Sequence, residues 1–470
     1  MSWHDSFDRM KRRPHLLVVC PQAVAPAWGR VVEAATRGEL AAWSHQSQAA
    51  AWYAERHAGM LAMDMGTGKT FAALLALDAM RHPLVYLDLS RGTGKQRAER
   101  LQSALSVAGG KCLVVVTNYE SIWRSALAPT IELVKWAAIV LDESHRIKAP
   151  GGAASRYLAR LAAKQPHARR LCLTGTPMPH SPLDLYGQFR FLDPQVYGTS
   201  FARMRARFAE CDTRFPSKVK YWKNQDELTA KLDAHSFRVT ADEVLDLPEA
   251  IHETLPVELS PKVQRFYRSL ESEMVAEIES GTVTAANALT KLLRMQQATG
   301  GYARIDGSAE VVPIDGTPAK RMVLADRLED LPVTEPVVVF CRFRSDLEDV
   351  AAVARELGRE YAEVSGERKD LERWQRGDAV ILGVQMQSGG VGIDCSRAAY
   401  AFYYSLGFSL GDYEQSLARL RRPGQTRCVR YYHLVCEGTV DAQVYAALRE
   451  RRHVVEAVLQ RLTPRQESVA

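Results

Sequence analysis

The apolar run Met60–Met63 leads into Gly66-Thr67-Gly68-Lys69-Thr70, and a helical stretch, Phe71–Met80, follows. Strand, glycine loop and helix in that order restrict the chain to an α/β fold built on parallel strands. Glycines let the backbone curl so that successive N–H groups point at phosphate oxygens. The helix N-terminus adds partial positive charge. In this pattern Lys69 reaches the β- and γ-phosphates of a nucleotide and Thr70 holds Mg²⁺.

The rest of the sequence supports the same architecture twice over. Short β-branched runs alternate with Ala/Leu/Arg-rich helical stretches at Leu16–Val19, Leu84–Leu89, Leu113–Val116, Ala138–Leu141 and Leu171–Thr174. The alternation resumes after Pro336, with Val337–Cys341, Ala379–Val384, Tyr400–Tyr404 and Tyr431–Val435. Between the two sets the texture is helical, at Phe201–Arg207, Asp226–Ala234, Leu259–Glu279 and Ala285–Gln297, and no strands are expected there. With 470 residues the chain is too long for one core. The expected fold class is α/β, two parallel-sheet lobes in tandem with a helical insertion near 259–297. The lobes are expected at 1–244 and 245–470, and Asp441–Leu462 reads as a C-terminal amphipathic helix.

Composition excludes several classes. No apolar run approaches the roughly 18 residues that span a bilayer, and the charged start from Met1 to Pro14 does not read as a signal peptide. A cytoplasmic protein without a membrane partner is expected. The eight cysteines are scattered without a CxxC pair, so neither zinc nor a disulfide framework is expected. A net charge of +6 permits a polyanionic partner without requiring one.

The apolar strand Ala138–Leu141 ends in Asp142-Glu143-Ser144-His145. At the carboxyl end of a parallel strand, Asp142 is placed to position Mg²⁺ and Glu143 to orient and deprotonate an attacking water. A second Gly-Thr-Gly-Lys, Gly92–Lys95, has Gln96 where the metal-binding hydroxyl is needed and is read as a surface turn.

Asp142–His145 followed by Leu173-Thr174-Gly175-Thr176-Pro177 resembles the motifs of superfamily-2 helicase motors. Met63, where the usual phosphate loop has glycine, is a relaxation common in nucleotide-binding helicases. Ser144–Lys148, Asn118-Tyr119-Glu120, Leu247-Pro248, Leu259-Ser260-Pro261, Ser388–Ile393 and Arg422-Pro423-Gly424-Gln425 narrow the resemblance to the Swi/Snf-like branch. The resemblance covers nearly the whole chain and implies two RecA-like lobes in a compact bacterial- or phage-type motor.

It assigns Gln46 to the adenine, and Gly66, Thr67, Gly68, Lys69 and Thr70 to the phosphates. His145, Thr174 and Thr176 are expected to couple ATP state to lobe movement and to the nucleic-acid backbone. Arg419 and Arg422, read as three apart on one helix face, are implied to reach the γ-phosphate, with Gln415 one turn earlier. Arginines in such positions contribute roughly 10³–10⁵ in rate in related phosphoryl-transfer enzymes. Gly389, Gly390 and Gly392 match a loop touching backbone phosphate and nucleotide. Asp394 is expected against the arginine segment or the ribose, and Arg342 against a backbone phosphate. Lys218–Lys223, basic and aromatic, is a further place for nucleic acid or a solvated loop.

One feature departs from the family order. The strand with a proline turn that normally follows the phosphate-loop helix is best matched by Leu16–Pro21, with Val24 and Trp28, ahead of the loop. A local permutation is expected, with Leu16–Val19 inside the sheet and Pro21–Ala23 facing nucleic acid. The function implied is an ATP- and Mg²⁺-dependent, monomeric translocase on double-stranded DNA in replication, recombination or repair. A strand-separating helicase on RNA or branched DNA, and an ATP-gated scaffold, are the alternatives.

Overall fold

In a computed structural model the described residues are 15–124, 126–179, 181–211, 219–279, 285–304, 310–386 and 393–450. They form two compact units, Met1–Leu245 and Asp246–Ala470.

The first unit is built on seven strands: Leu16–Cys20 (β1), Ala58–Met63 (β2), Leu84–Asp88 (β3), Cys112–Asn118 (β4), Ala138–Asp142 (β5), Arg169–Thr174 (β6) and Ser236–Val239. A small antiparallel hairpin, Ala209–Cys211 (β7) and Val219–Trp222 (β8), precedes the last of these, which is therefore β9. The sheet order is β3-β4-β1-β5-β6-β2-β9, and every pairing is parallel. Both faces are covered, as parallel sheets require. Leu17 and Val19 enter one core with Ile139 and Leu141, while Leu16, Val18 and Cys20 enter the opposite core with Val114 and Val140. Alternate side chains of one strand thus supply two cores, which explains the near-continuous apolar runs of the sequence.

β1 lies inside the sheet between β4 and β5, not at its edge. An edge position would have overturned the permuted reading. The helix Ala25–Thr36 that follows carries Trp28 into the core.

The second unit has six parallel strands: Ala250–Val257 (β10), Val337–Cys341, Tyr361–Val364, Ile381–Gln385, Tyr400–Tyr403 and Val429–Cys436. A short hairpin, Tyr302–Arg304 (β11) with Val311–Pro313 (β12), lies between the first two, so the others are β13 to β17. Their order is β10-β17-β16-β13-β15-β14. The fold class is α/β with two parallel sheets in tandem, as expected.

The intervening region differs from expectation. Helices occur at Phe201–Phe208, Gln225–Ala234, Pro261–Glu279 and Ala285–Thr299, but besides the hairpin β7–β8 the large-sheet strands β9 and β10 lie among them. Both are edge strands, and β10 is mostly half-buried, so neither needs the apolar run that marks a central strand. The terminal helix is described over Val440–Arg449, and the expected continuation to Leu462 lies outside the described residues. No helix among the described residues is long and apolar enough to cross a membrane.

Candidate ATP site and its coupling network

The phosphate loop is folded by its own polar atoms. Gly66 and Gly68 adopt φ +83° and +77°, conformations that favour glycine. Between them Thr67 is buried, its Oγ1 donating to Asp64 O at 2.7 Å. The helix Lys69–Ala76 then starts, with Phe71, Ala72, Ala73 and Leu74 anchored in the core. Lys69 Nζ donates to Met63 O at 2.9 Å and Asp64 O at 3.1 Å, across the loop's entry. Gln46 sits over this loop: its Nε2 donates to Thr67 O at 3.1 Å and its Oε1 accepts from Trp43 N–H at 3.0 Å. His45 Nε2 lies 2.8 Å from the same Thr67 oxygen. A Cβ on Gly68 would stand 2.2 Å from Gln46 Nε2, so loop and glutamine fit only with glycine there.

Asp142 closes β5 and is 4% exposed. Its Oδ2 accepts from Trp28 Nε1–H at 2.8 Å and its Oδ1 from Glu143 N–H at 3.0 Å. Burial first, then the neighbouring Glu143 charge, push its pKa up to about 6, against the Trp28 hydrogen bond. Trp28 was noted in the sequence only as part of the displaced strand. Its 114-residue separation from Asp142 left no local signal for the contact. Tyr119, read in the sequence only as part of the Asn118-Tyr119-Glu120 motif, donates from Oη–H to Asp142 O at 2.8 Å.

Glu143 is one of three non-glycine residues with positive φ among those described (+53°). Such backbone strain is characteristic of functional positions. His145 Nδ1 lies 3.4 Å from Glu143 Oε2 and 3.3 Å from Thr174 Oγ1, and that oxygen accepts Thr176 N–H at 3.1 Å. Burial, then Lys148 and Arg146, drive the His145 pKa down to about 3, so the imidazole is neutral. Glu143, His145, Thr174 and Thr176 therefore form one run of contacts from β5 to the end of β6, in which Glu143 Oε2 itself has no hydrogen-bond partner among the described residues. Gln188 ties the same segments from beneath: Ser144 Oγ–H donates to its Oε1 at 2.7 Å, and its Nε2 donates to Pro177 O at 2.7 Å. A fully buried glutamine in the helix Leu185–Leu192, apolar apart from it and Arg190, is the sequence signal that could have revealed it.

In the second unit the arginine segment departs from expectation. The helix Leu410–Leu417 ends before it, so Arg419 and Arg422 follow in turns rather than on one helix face. Pro423-Gly424, with Gly424 at φ +100°, is incompatible with continuing that helix. Asp394 does meet the segment: its Oδ2 is 3.5 Å from Arg422 Nη1, and its Oδ1 is held by Ser396. Arg419 Nη1 reaches Ile393 O at 3.5 Å, and Arg421 Nε donates to Pro248 O at 2.8 Å. Gln415 is buried on the helix. Gly389, Gly390 and Gly392 lie outside the described residues.

Arg342 corrects an expectation. It is 8% exposed, its guanidinium stacks 3.9 Å from the Phe408 ring centroid, and Nη1 donates to Gln296 Oε1 at 3.0 Å. This places it as a buried brace between segments rather than a group offered to a phosphate. Of the Lys218–Lys223 stretch, Lys218 lies outside the described residues. Val219–Trp222 is β8, with Trp222 packed on the core and Lys223 paired to Glu210 at 2.8 Å.

Residues 85–300 match the profile of the SNF2-related domain. The chain is 25% identical over 438 residues to a putative protein, p41, of Acyrthosiphon pisum secondary endosymbiont phage 1, covering 84% of this chain and 93% of that one. It is 22% identical to the mouse DNA annealing helicase and endonuclease ZRANB3, over 85% of this chain and 39% of that one. It is also 22% identical to the yeast ISWI chromatin-remodeling complex ATPase ISW1, over 88% of this chain and 40% of that one. The chain thus spans about two fifths of these two eukaryotic relatives. A solved SWI2/SNF2 ATPase core from Sulfolobus solfataricus, in complex with double-stranded DNA, aligns over 89% of this chain and 93% of its own. Its identity is 21% and its TM-score 0.38, and it carries no weight in the assignment. The sequence matches, together with the motifs carried by the phosphate loop, the Asp142–His145 strand end and Thr174–Pro177, make the chain similar to the Swi/Snf-like branch of superfamily-2 motors.

Proposed function

We infer that the chain is a monomeric DNA-dependent ATPase that translocates on double-stranded DNA in replication, recombination or repair. The observation that carries this reading is the chain Glu143–His145–Thr174–Thr176 beside the phosphate loop. A simple nucleotide binder has no need to connect its hydrolytic carboxylate to the end of the next strand. A motor does, because hydrolysis must be felt elsewhere.

Thr70 hydroxyl and the Asp142 carboxylate are hard oxygen donors, the kind Mg²⁺ takes. Bound there, Mg²⁺ would neutralise charge on the β- and γ-phosphates. Gly66–Lys69 cradle those phosphates, and Gln46, over the loop, is assigned to the adenine. Glu143 orients a water whose oxygen attacks the γ-phosphorus and accepts its proton while the bond to the bridging oxygen breaks and ADP leaves. Arg419 and Arg422 are assigned to charge developing on the transferred group, with Asp394 orienting Arg422. Gly389, Gly390, Gly392 and Gln415 keep only the assignments that the family resemblance implies.

Triplex displacement tests translocation. Glu143→Gln should retain duplex affinity within about twofold while ATP turnover and displacement fall by roughly a hundredfold or more. A Glu143→Gln variant that hydrolysed ATP like the parent would remove Glu143 from its role.

A further inference from the structure

The first unit carries a cationic groove whose lining includes none of the residues assigned to ATP. The helix Ala153–Lys164 presents Arg156 and Arg160 on one face, separated by the small side chains Ala153, Ala159 and Ala163. With Trp123 and Arg190 they line a shallow groove of about 640 Å³. No carboxylate lines it. Arg190 is fixed at the groove by hydrogen bonds from Nη2 to Pro150 O at 3.0 Å and Ser155 Oγ at 2.8 Å. Arg156 and Arg160 are exposed, and among the described residues neither pairs with an acid.

Trp123 is the informative member. It is 39% exposed at the groove wall, and the Arg124 guanidinium lies 5.5 Å from its ring centroid. Arg124 in turn lines a cavity of about 480 Å³ with Lys95, Arg97 and the acidic Glu120. An exposed indole in the wall of a cationic groove serves little purpose toward a duplex, whose bases are stacked inside. It matches a single strand, whose unstacked bases lie on aromatic rings while arginines follow the phosphates. An acidic peptide would use the charge but not the ring.

We propose that the Trp123–Arg156–Arg160 groove is a single-stranded nucleic-acid binding track on the first lobe, distinct from the ATP site. It rests on the motor reading and adds a strand contact that the reading does not contain.

The test is fluorescence anisotropy of the full chain with a labelled oligothymidylate, a duplex of equal length and a polyglutamate peptide, over a salt series. Trp123→Ala and the double variant Arg156→Glu/Arg160→Glu should each weaken oligothymidylate binding by about tenfold or more, with duplex affinity changed less than twofold. Trp123→Phe should recover most of the loss. The double variant should also flatten the salt dependence by about 0.7 per lost phosphate contact. Nucleic-acid-free ATPase and the melting temperature should match the parent. Unchanged oligothymidylate binding in both variants, or loss confined to polyglutamate, overturns the track. If the parent binds no nucleic acid at all, the motor reading fails instead.

Discussion

Gly-Thr-Gly-Lys occurs twice in the first unit, at Gly66–Lys69 and Gly92–Lys95, and the two copies fold into different objects. The first follows a central strand, its lysine is drawn across the loop onto Met63 O and Asp64 O, and its helix is buried. The second follows β3, an edge strand, and opens the largely exposed helix Gly94–Val107. There Thr93 Oγ1 accepts Gln96 N–H at 3.3 Å while Gln96 Oε1 accepts Thr93 N–H at 2.9 Å, a reciprocal cap. The residue standing where a metal-binding hydroxyl belongs is thus occupied in starting a helix. Lys95 projects with its side chain 86% exposed. The tetrapeptide alone does not make a phosphate site. The strand before it, the hydroxyl after it and the acids on neighbouring strands do.

The sharpest break of this comparison is a lysine exchange in each copy. Lys69→Ala should lower ATP turnover by roughly 10²–10³ or more, whereas Lys95→Ala should leave nucleic-acid-free turnover within twofold. Equal losses in steady-state hydrolysis would put nucleotide at the second copy too.

Next in size is Trp28→Phe, which removes the indole donor to Asp142. A buried carboxylate oxygen left without its partner costs about 1–3 kcal/mol. The Mg²⁺ activation curve should shift to higher concentration and the melting temperature should fall. An unchanged curve would separate the N-terminal segment from the metal.

Thr93→Ala should destabilise the first unit by about 1 kcal/mol through the lost cap, read by denaturant unfolding, without change in ATPase. A fall in ATPase at constant stability would contradict the reading of this copy as a helix start.

The smallest effect concerns His145. Its pKa is lowered, so stability from the neutral ring is present above the unfolded pKa near 6.5. That contribution is lost as pH falls from there toward about 3. Histidine NMR should show this ring untitrated between pH 5 and 8. A midpoint near 6.5 would mean that the ring is solvated and that the chain from Glu143 to Thr174 is open.

What the sequence made legible has a common cause. The phosphate loop, the acidic strand end and the parallel core strands are each written in one contiguous stretch, where strand, turn and helix chemistry agree. The misses are contacts or edges. β9 and β10 flank their sheets and do not need continuous apolar runs, and β10 even carries Pro256. Arg342 reads as a surface cation until Phe408 and Gln296, remote in sequence, are seen to enclose it. Trp28 looks like an ordinary core tryptophan until β1, inside the sheet, carries its helix to Asp142. The displaced strand is therefore more than a rearranged order, since it delivers a donor to the carboxylate assigned to Mg²⁺. Arg419 and Arg422 were placed on a helix because their spacing suits one, but the following Pro-Gly sets the local backbone instead.

The most direct test is steady-state ATP hydrolysis by the purified chain, alone and with duplex DNA, single-stranded DNA or RNA. The account predicts that duplex DNA stimulates turnover most, and that Lys69→Ala removes both basal and stimulated activity. Stimulation mainly by single strands or RNA, or the same turnover with and without nucleic acid, would contradict it.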